Sequence, residues 1–522
     1  MSKKIRIVLA LLALVAVVGY RQWQAHVPAS ARPPATAGAP RAGQPVEQAV
    51  RRYGALQFQP CTLTHPQAAG NVEAQCATLQ VAENPAAPQG RHIGLKIAWL
   101  EVGDDGPGEP DPVFFVAGGP GQSATESAGL IAPALAEVSK KRDVFLVDQR
   151  GTGGSHPLTC TGADGKPLAA PDDADASPGA IADYARRCAA ALQGRADPRF
   201  YTTTEAIGDL DAVRAALGVD RINLIGVSYG TRVVQHYAAA HPQHTRAIVI
   251  DGVVPNDLVA GGEFATTFED AIGLQAEQCR SLPACARRFP TDTREQLRST
   301  MARLRQAPVE VEYRDPGTGE IERGKVTADT VTGLAFAFSY APQTASLLPL
   351  ILDEAAHGRY GPLMSLAGLA SRSIGDSMNR AMQWSVICAE DADRYRVLDG
   401  TRPTLLGPDV ASMFFAACPA WPTGTRPPGF TDPLHSDVPA LLLSGALDPV
   451  TPPRYAEQVL KGLPNGRHLV APGQGHNVMA LGCIPTLMGQ FIDQGNARSL
   501  DARCVDTLSS VPAFTSFNGW EP

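Results

Sequence analysis

One stretch constrains the fold of this chain more than any other, residues 222–230 with the sequence INLIGVSYG. Its aliphatic first half is typical of a buried parallel strand, and a Gly-x-Ser-x-Gly pentapeptide follows at once. Residues Tyr229 to Ala240 can continue as a helix until His241-Pro242 ends it. Glycines two residues either side of a serine let neighbouring backbone pass close to a sharp apex. The stretch therefore predicts a nucleophilic turn at Ser228, with an ordinary glycine-rich turn as the alternative.

Short apolar strands alternate with helical stretches on both sides of this serine. The predicted strands are Leu95–Val102, Val113–Ala117, Val144–Asp148, Ala247–Asp251, Pro439–Ser444 and Arg467–Ala471. Helical stretches separate them, such as Glu205–Leu217 with its apolar residues on one face, and a closing helix is predicted from about Asn477. This alternation predicts an α/β fold with a mostly parallel sheet.

The alternation stops after Val254. Residues 255–435 are mainly helical in pattern, with one predicted hairpin of Val309–Tyr313 and Ile321–Val326 around a Pro-Gly turn. The prediction is a core in two parts, residues 50–254 and 436–522, with an inserted, mainly helical cap at 255–435. A chain of 522 residues is long enough for such a core and its insertion.

The N-terminus is typical of an export signal. Lys3, Lys4 and Arg6 precede an uninterrupted apolar run at residues 7–19, and residues 27–49 form a Pro/Ala/Gly-rich linker. Residues 1–26 are predicted to be a signal peptide or an uncleaved membrane anchor, since Trp23 could sit at a membrane interface. The protein is therefore expected in the periplasm or secreted, with membrane association through this segment left open.

The cysteine count supports export independently. Ten cysteines in an oxidising compartment indicate disulfides, with free buried thiols as the alternative. Pairing neighbours in sequence predicts the bridges Cys61–Cys76, Cys160–Cys188, Cys279–Cys285, Cys388–Cys418 and Cys483–Cys504. No Cys-x-x-Cys or His-Glu-x-x-His occurs, so no metal site and no cofactor are predicted. A net charge of −7 argues against a nucleic-acid partner.

A serine hydroxyl needs a base within reach and a third group that holds the base. Asp448 follows the predicted strand that ends at Ser444, and His476 follows the last predicted strand. Taken alone, these are an ordinary turn aspartate and a loop histidine. Together with Ser228 they follow the order serine, acid, histidine of the α/β-hydrolase fold. The sequence predicts Ser228 as nucleophile, His476 as base and Asp448 as the residue that orients the base.

The tetrahedral intermediate of acyl transfer needs N–H donors aimed at its oxyanion. The expected donors are the backbone N–H of Tyr229 and that of Gly118 or Gly119, in the glycine loop after the Val113–Ala117 strand. A phosphate cradle is the alternative for this loop, but no lysine follows in P-loop register. Nearby, Asp148 and Arg150 are predicted to form a buried ion pair that braces the loops.

Four motifs together resemble the proline iminopeptidase and tripeptidyl aminopeptidase group of α/β-hydrolases. They are GGPG at 118–121, DQRGTGGS at 148–155, GVSYGT at 226–231 and Gly-x-x-Asp-x-x-Thr-Pro at 445–452. Proline iminopeptidases usually have histidine before the glycine pair, and here Ala117 stands there. With the export signal, this departure favours the secreted tripeptidyl aminopeptidase branch. The resemblance implies that the protein removes tripeptides, other short peptides or single residues from free N-termini.

The same resemblance implies that an acidic residue of the cap recognises the ammonium group of the substrate. Glu390 or Asp391 is the predicted residue, with Glu263 and Glu269 as further candidates. A solvated acidic turn is the competing interpretation of residues 390–391.

The predicted function is therefore that of an exported serine aminopeptidase, which acts on peptides through an acyl-enzyme on Ser228. One rival is an exported esterase or amidase with the same three residues. Another is a non-catalytic envelope protein on a hydrolase scaffold. No prediction is made of the oligomeric state.

Overall fold

The computed structural model describes residues 50–65, 68, 70–103, 108–171, 177–376, 378–397, 404–407 and 410–520. The predicted signal or anchor at 1–26 and the linker at 27–49 lie outside these residues. Within the described part of the chain, no helix combines the length and the apolar character that a membrane crossing requires.

A large sheet organises the described residues. The strands are β1 (Arg51–Tyr53), β2 (Leu56–Leu63), β3 (Val72–Ala82), β4 (His92–Leu100), β5 (Val113–Val116), β6 (Val144–Val147), β7 (Ile222–Val227), β8 (Thr245–Asp251), β9 (Val309–Arg314), β10 (Ile321–Val326), β11 (Ala440–Gly445) and β12 (Gly466–Ala471). Ten of them form one sheet in the order β1-β2-β3-β4-β6-β5-β7-β8-β11-β12. The strands from β6 to β12 in this order are parallel. Strands β1 to β4 are added antiparallel at one edge.

Helices cover both faces of this sheet and build the insertion. They are α1 (Ala128–Leu135), α2 (Pro178–Leu192), α3 (Thr203–Leu217), α4 (Tyr229–Ala240), α5 (Phe264–Ser281), α6 (Pro283–Arg288), α7 (Thr293–Gln306), α8 (Ala328–Phe338), α9 (Pro342–Ala345), α10 (Leu348–Ala356), α11 (Gly361–Asp376), α12 (Arg380–Glu390), α13 (Val410–Phe414), α14 (Pro453–Leu460) and α15 (Ile484–Gln494). Strands β5, β6 and β7 are buried along their whole length, as expected for parallel strands between two helical layers. The predicted α/β-hydrolase architecture with a mostly parallel sheet is confirmed.

The first three strands are absent from the sequence prediction, which began with the strand near Leu95. In β2, buried and exposed residues are mixed because one side of the strand faces solvent, and Pro60 lies in its middle. Proline weakens a strand pattern, and three strands that pair only at the antiparallel edge show no long apolar run.

Five disulfides join all ten cysteines, each to its neighbour in sequence: Cys61–Cys76, Cys160–Cys188, Cys279–Cys285, Cys388–Cys418 and Cys483–Cys504. Because disulfides persist in oxidising compartments, this number of bridges indicates an exported protein.

The predicted insertion contains two kinds of packing. Helices α5, α7, α8, α10 and α11 share an apolar cluster of their own, formed by residues from Phe268 to Leu363 together with Leu405. The predicted hairpin is confirmed, since β9 and β10 pair antiparallel beside these helices. Helix α12 and the residues up to Leu434 pack with the sheet instead. The proposed boundaries at 255 and 435 stay a prediction, and the last part of the predicted cap packs with the core.

Candidate active site

Ser228 stands at the turn between β7 and α4, with φ 53° and ψ −125°. Positive φ is strained for a residue with a side chain, and strain of this kind is found at nucleophile turns. The turn needs its glycines, because a Cβ on Gly230 would lie 2.4 Å from the carbonyl oxygen of Val116, and one on Gly226 would lie 2.6 Å from that of Gly230. Helix α4 therefore leaves the strand tightly, and Ser228 remains partly exposed.

Asp448 and His476 meet at the same edge of the sheet. They follow β11 and β12, which are parallel neighbours, so the two loops emerge side by side. Asp448 Oδ2 lies 2.7 Å from His476 Nδ1, and the two side chains are 0% and 6% exposed. Thr451 Oγ1 donates to Asp448 Oδ2 over 2.7 Å and lies 3.0 Å from His476 Nδ1. The structure thus brings together the predicted acid and the predicted base.

The electrostatics of this pair suit a base that gains a proton. Burial alone would raise the pKa of Asp448, but the imidazole and the backbone N–H groups of Val450 and Thr451 hold it below its usual value. Burial would lower the pKa of His476, but the carboxylates of Asp448 and Asp251 raise it above the usual histidine value. The imidazolium that forms during proton transfer is therefore stabilised in place.

Ser228 and His476 are linked through the end of β8. The Ser228 N–H donates to the carbonyl oxygen of Asp251 over 2.8 Å. The next residue, Gly252, touches the imidazole, since a Cβ there would lie 2.9 Å from His476 Cε1. Ser228 Oγ makes no hydrogen bond to any residue of the described chain. In unliganded sites, the bond from nucleophile to base often tightens only with substrate.

The residues predicted to supply oxyanion donors surround Ser228. Gly118 faces it, because a Cβ on Gly118 would lie 3.0 Å from Ser228 Cβ. Gly119 follows in the same loop with φ 109°. Tyr229 is the first residue of α4, where N–H groups lack partners within the helix. Their role as donors stays a prediction.

The structure contradicts the prediction that Glu390 or Asp391 receives a substrate ammonium group. Glu390 is 1% exposed and accepts hydrogen bonds from Thr203 N–H over 2.7 Å and Thr203 Oγ1 over 3.0 Å. Asp391 is 0% exposed and accepts from Arg232 Nη1 over 3.0 Å. The physical reason is that α12 packs with the sheet, which turns both carboxylates into the core.

Glu390 supports the nucleophile turn from the inside instead. Thr203, which donates to Glu390, also lies 2.6 Å from Tyr229 through their two hydroxyl oxygens. Gln149 Nε2 donates to the same Tyr229 hydroxyl over 3.1 Å. Burial raises the pKa of Glu390 to about 7, and the charge of Arg232 opposes the increase. This buried network holds the side chain of the residue after the nucleophile.

The predicted ion pair between Asp148 and Arg150 is also wrong. Arg150 forms a buried, two-pronged pair with Asp209, with both N–O distances 2.7 Å. Asp148 accepts instead from the hydroxyls of Ser123 and Thr125. Each residue does brace the structure, but through different partners: Asp148 holds residues 123–125, and Arg150 holds helix α3 and the carbonyl oxygens of Glu83 and Phe200.

Two further residues of the site, Thr451 and Tyr340, are not predicted from the sequence. Thr451 was visible in the Gly-x-x-Asp-x-x-Thr-Pro motif, where a threonine three residues after the acid can cap its carboxylate. Tyr340 lies between α8 and α9 and contacts His476 with its ring, at 5.3 Å between ring centres. Its carbonyl oxygen accepts the His476 N–H over 2.7 Å. No sequence pattern marks this long-range contact.

Comparisons with known proteins agree with this geometry. A family model described as alpha/beta hydrolase fold matches residues 111–310, and one described as TAP-like protein matches residues 403–504. The chain is 27% identical over 493 residues to serine protease Hip1 of Mycobacterium tuberculosis, covering 89% of this chain and 92% of that protein. Tripeptidyl aminopeptidase of Streptomyces lividans is 32% identical over 195 residues, 34% of this chain and 35% of that protein. Proline iminopeptidase of Neisseria gonorrhoeae is 29% identical over 164 residues, 30% of this chain and 36% of that protein.

Proposed function

Because the chain belongs to the α/β-hydrolase family of serine peptidases, we propose that it is an exported aminopeptidase that releases short peptides, tripeptides in particular, from free N-termini. The observation that carries the proposal is the buried 2.7 Å contact between Asp448 and His476, beside a strained, partly exposed Ser228. Tripeptide release is supported by the similarity to tripeptidyl aminopeptidase of Streptomyces lividans. Export is supported by the five disulfides and by the charged and apolar residues at the N-terminus.

The proposed reaction is acyl transfer to Ser228 followed by hydrolysis. Asp448 holds the Nδ1 side of His476, which leaves Nε2 free to take the Ser228 proton as the hydroxyl attacks the scissile carbonyl. The N–H groups of Tyr229 and the Gly118 loop stabilise the oxyanion. His476 then gives its proton to the leaving amine, and water, activated by the same imidazole, releases the N-terminal peptide from Ser228.

Recognition of a free N-terminus requires an accessible carboxylate, and Glu263 is the remaining candidate that has one. Its side chain is 49% exposed, whereas Glu269 is buried and accepts the Leu405 N–H over 3.0 Å. Glu263 Oε2 accepts from the Tyr455 hydroxyl over 2.5 Å, which ties it to the first turn of α14, just after the Asp448 loop. Its Oε1 accepts no hydrogen bond from the described residues. We propose that this oxygen binds the substrate ammonium group.

Peptidyl-arylamides test the proposal directly. Tripeptides with a free N-terminus should be cleaved, and N-acetylation should lower kcat/KM by about a hundredfold, because the charge-assisted contact is lost. Glu263→Gln should raise KM for the free substrates only. Glu277→Gln, an exposed substitution within α5, the helix that Glu263 directly precedes, is the matched control and should leave both constants unchanged. Mass spectrometry of the products reads the length of the released peptide.

The outcomes separate the rival functions. Equal turnover of free and acetylated peptides would refute aminopeptidase action. Preferential cleavage of short-chain esters would favour an esterase. If a fluorophosphonate failed to label Ser228 in the folded protein, the protein would not be an active serine hydrolase.

A further inference from the structure

A second carboxylate, that of Asp251, is buried beside His476 and neither gives nor takes a proton in the reaction proposed above. Asp251 ends β8 and is 0% exposed. Its Oδ2 accepts from the backbone N–H groups of Val478 over 2.7 Å and Met479 over 2.8 Å. Its Oδ1 is buried and has no hydrogen-bond partner among the described residues. A buried, half-satisfied carboxylate is costly and calls for an explanation.

Asp251 connects the two reacting side chains. Its carbonyl oxygen accepts the Ser228 N–H over 2.8 Å, and its carboxylate holds the loop two and three residues after His476. The residue that follows it, Gly252, lies against the imidazole. One residue thus fixes the nucleophile turn with its main chain and the base with its side chain.

We propose that Asp251 is a positioning residue for the reaction at Ser228, one that holds the His476 loop and stabilises the imidazolium formed when His476 takes the serine proton. The inference rests on the proposed role of Ser228 and His476, and does not depend on the choice of substrate. A neutral acceptor would serve the two backbone N–H groups of Val478 and Met479 equally well. The proposal therefore gives the negative charge of Asp251 a function of its own.

The stabilisation is selective for the charged state of the base. The charged groups that face Asp251 are His476 and Asp448, on the loops after β12 and β11, and the Tyr340 phenol of the cap faces Asp448. With the imidazole neutral, the Asp251 and Asp448 carboxylates only repel each other. Once the imidazole is protonated, both carboxylates attract it, so the interaction strengthens as the reaction proceeds. Burial raises the pKa of Asp251 to about 7, and the backbone bonds and His476 limit the increase, so the carboxylate carries its full charge above neutral pH.

Asp251→Asn tests the charge, since the amide oxygen can still accept from Val478 and Met479. The readout is the rate of Ser228 labelling by a fluorophosphonate as a function of pH. We expect the rate constant at about pH 8, where Asp251 is ionised, to fall about tenfold or more, and the acid limb of the profile to move to lower pH, because His476 loses a neighbouring negative charge. The melting temperature should change little.

Asp315→Asn is the matched control. Asp315 is also a buried carboxylate that accepts two backbone N–H groups, those of Gly317 and Thr318, but it lies in the β9–β10 turn. Its asparagine variant should label with the wild-type rate and pH profile.

An Asp251→Asn variant that labels with the wild-type rate and acid limb would overturn the proposal. If that variant does not fold, Asp251→Glu decides the question, because glutamate keeps the negative charge. A slower labelling rate with an unshifted acid limb would support the proposal. An acid limb moved to lower pH would overturn it. Absence of labelling in the wild-type protein would refute the proposed function instead.

Discussion

Replacing Asp448 with asparagine should lower kcat/KM about a thousandfold without unfolding the protein. The carboxylate lies 2.7 Å from His476 Nδ1, which places the two charge centres about 4 Å apart once the imidazole is protonated. At an effective dielectric constant of about 20, unit charges at that separation attract by about 4 kcal/mol. Since each 1.4 kcal/mol is a factor of about ten in rate, removing the charge costs about 10³.

The surroundings of Asp448 also decide which way the asparagine points. Oδ1 accepts from the backbone N–H groups of Val450 and Thr451, so the amide oxygen should occupy that position. The amide NH₂ then faces His476 Nδ1 and donates to it. That bond favours the imidazole tautomer with its proton on Nε2, which cannot accept the Ser228 proton.

The assay is kcat/KM for a tripeptidyl-arylamide across pH, with the melting temperature as a check on folding. Asp448 raises the pKa of His476, so in the wild-type protein the acid limb lies above the usual histidine value. In Asp448→Asn the limb should move to lower pH, because neutral imidazole then persists to lower pH. A loss smaller than about tenfold, or a limb that stays in place, would refute the reasoning.

Two further predictions concern stability. Asp209→Ala should lower the free energy of unfolding, measured in urea, by about 3–5 kcal/mol, because it leaves the buried Arg150 guanidinium without its carboxylate. Asp183→Ala, which breaks an exposed pair with Arg186, is the control and should change the free energy little. Equal losses in the two variants would contradict the argument. Replacing Cys388 and Cys418 with serine should lower the free energy of unfolding by about 3–4 kcal/mol, the loop-closure entropy for a bridge between residues 30 apart. The measurement is denaturation with and without reductant. A variant as stable as the oxidised wild type would show that the bridge does not restrict the conformations of the unfolded chain.

Local patterns were sufficient to predict the central strands of the sheet and to place Ser228, Asp448 and His476 just after three of them. The β7 run, the turn at Ser228 and helix α4 over Tyr229–Ala240 depend on neighbouring residues, and the structure shows them where they were predicted. Asp448 and His476 were found because a parallel sheet collects its strand ends at one edge.

Interactions between distant segments account for what the sequence could not predict. The closing helix was expected from about Asn477 but begins at Ile484, because Asp251 holds the N–H groups of Val478 and Met479 in a loop whose Asn477 and Gly482 have positive φ, 64° and 51°, which an α-helix does not admit. The burial of Glu390 follows from the docking of α12 against the sheet, which no local pattern reveals. The same applies to the choice of Asp209, 59 positions away, as the partner of Arg150.

The contact between Tyr340 and His476 limits how freely the insertion can be exchanged. The hydrogen bond joins the backbone N–H of His476 to the carbonyl oxygen of Tyr340, so point substitutions at position 340 leave it in place. Removing the α8–α9 connection would delete this support of His476. Engineers who transplant an insertion from a relative to alter selectivity would therefore have to keep the α8–α9 connection of this chain. A chimera that lacks it would lose turnover for every substrate alike. A more accessible active site would not compensate for an imidazole that is no longer held in position.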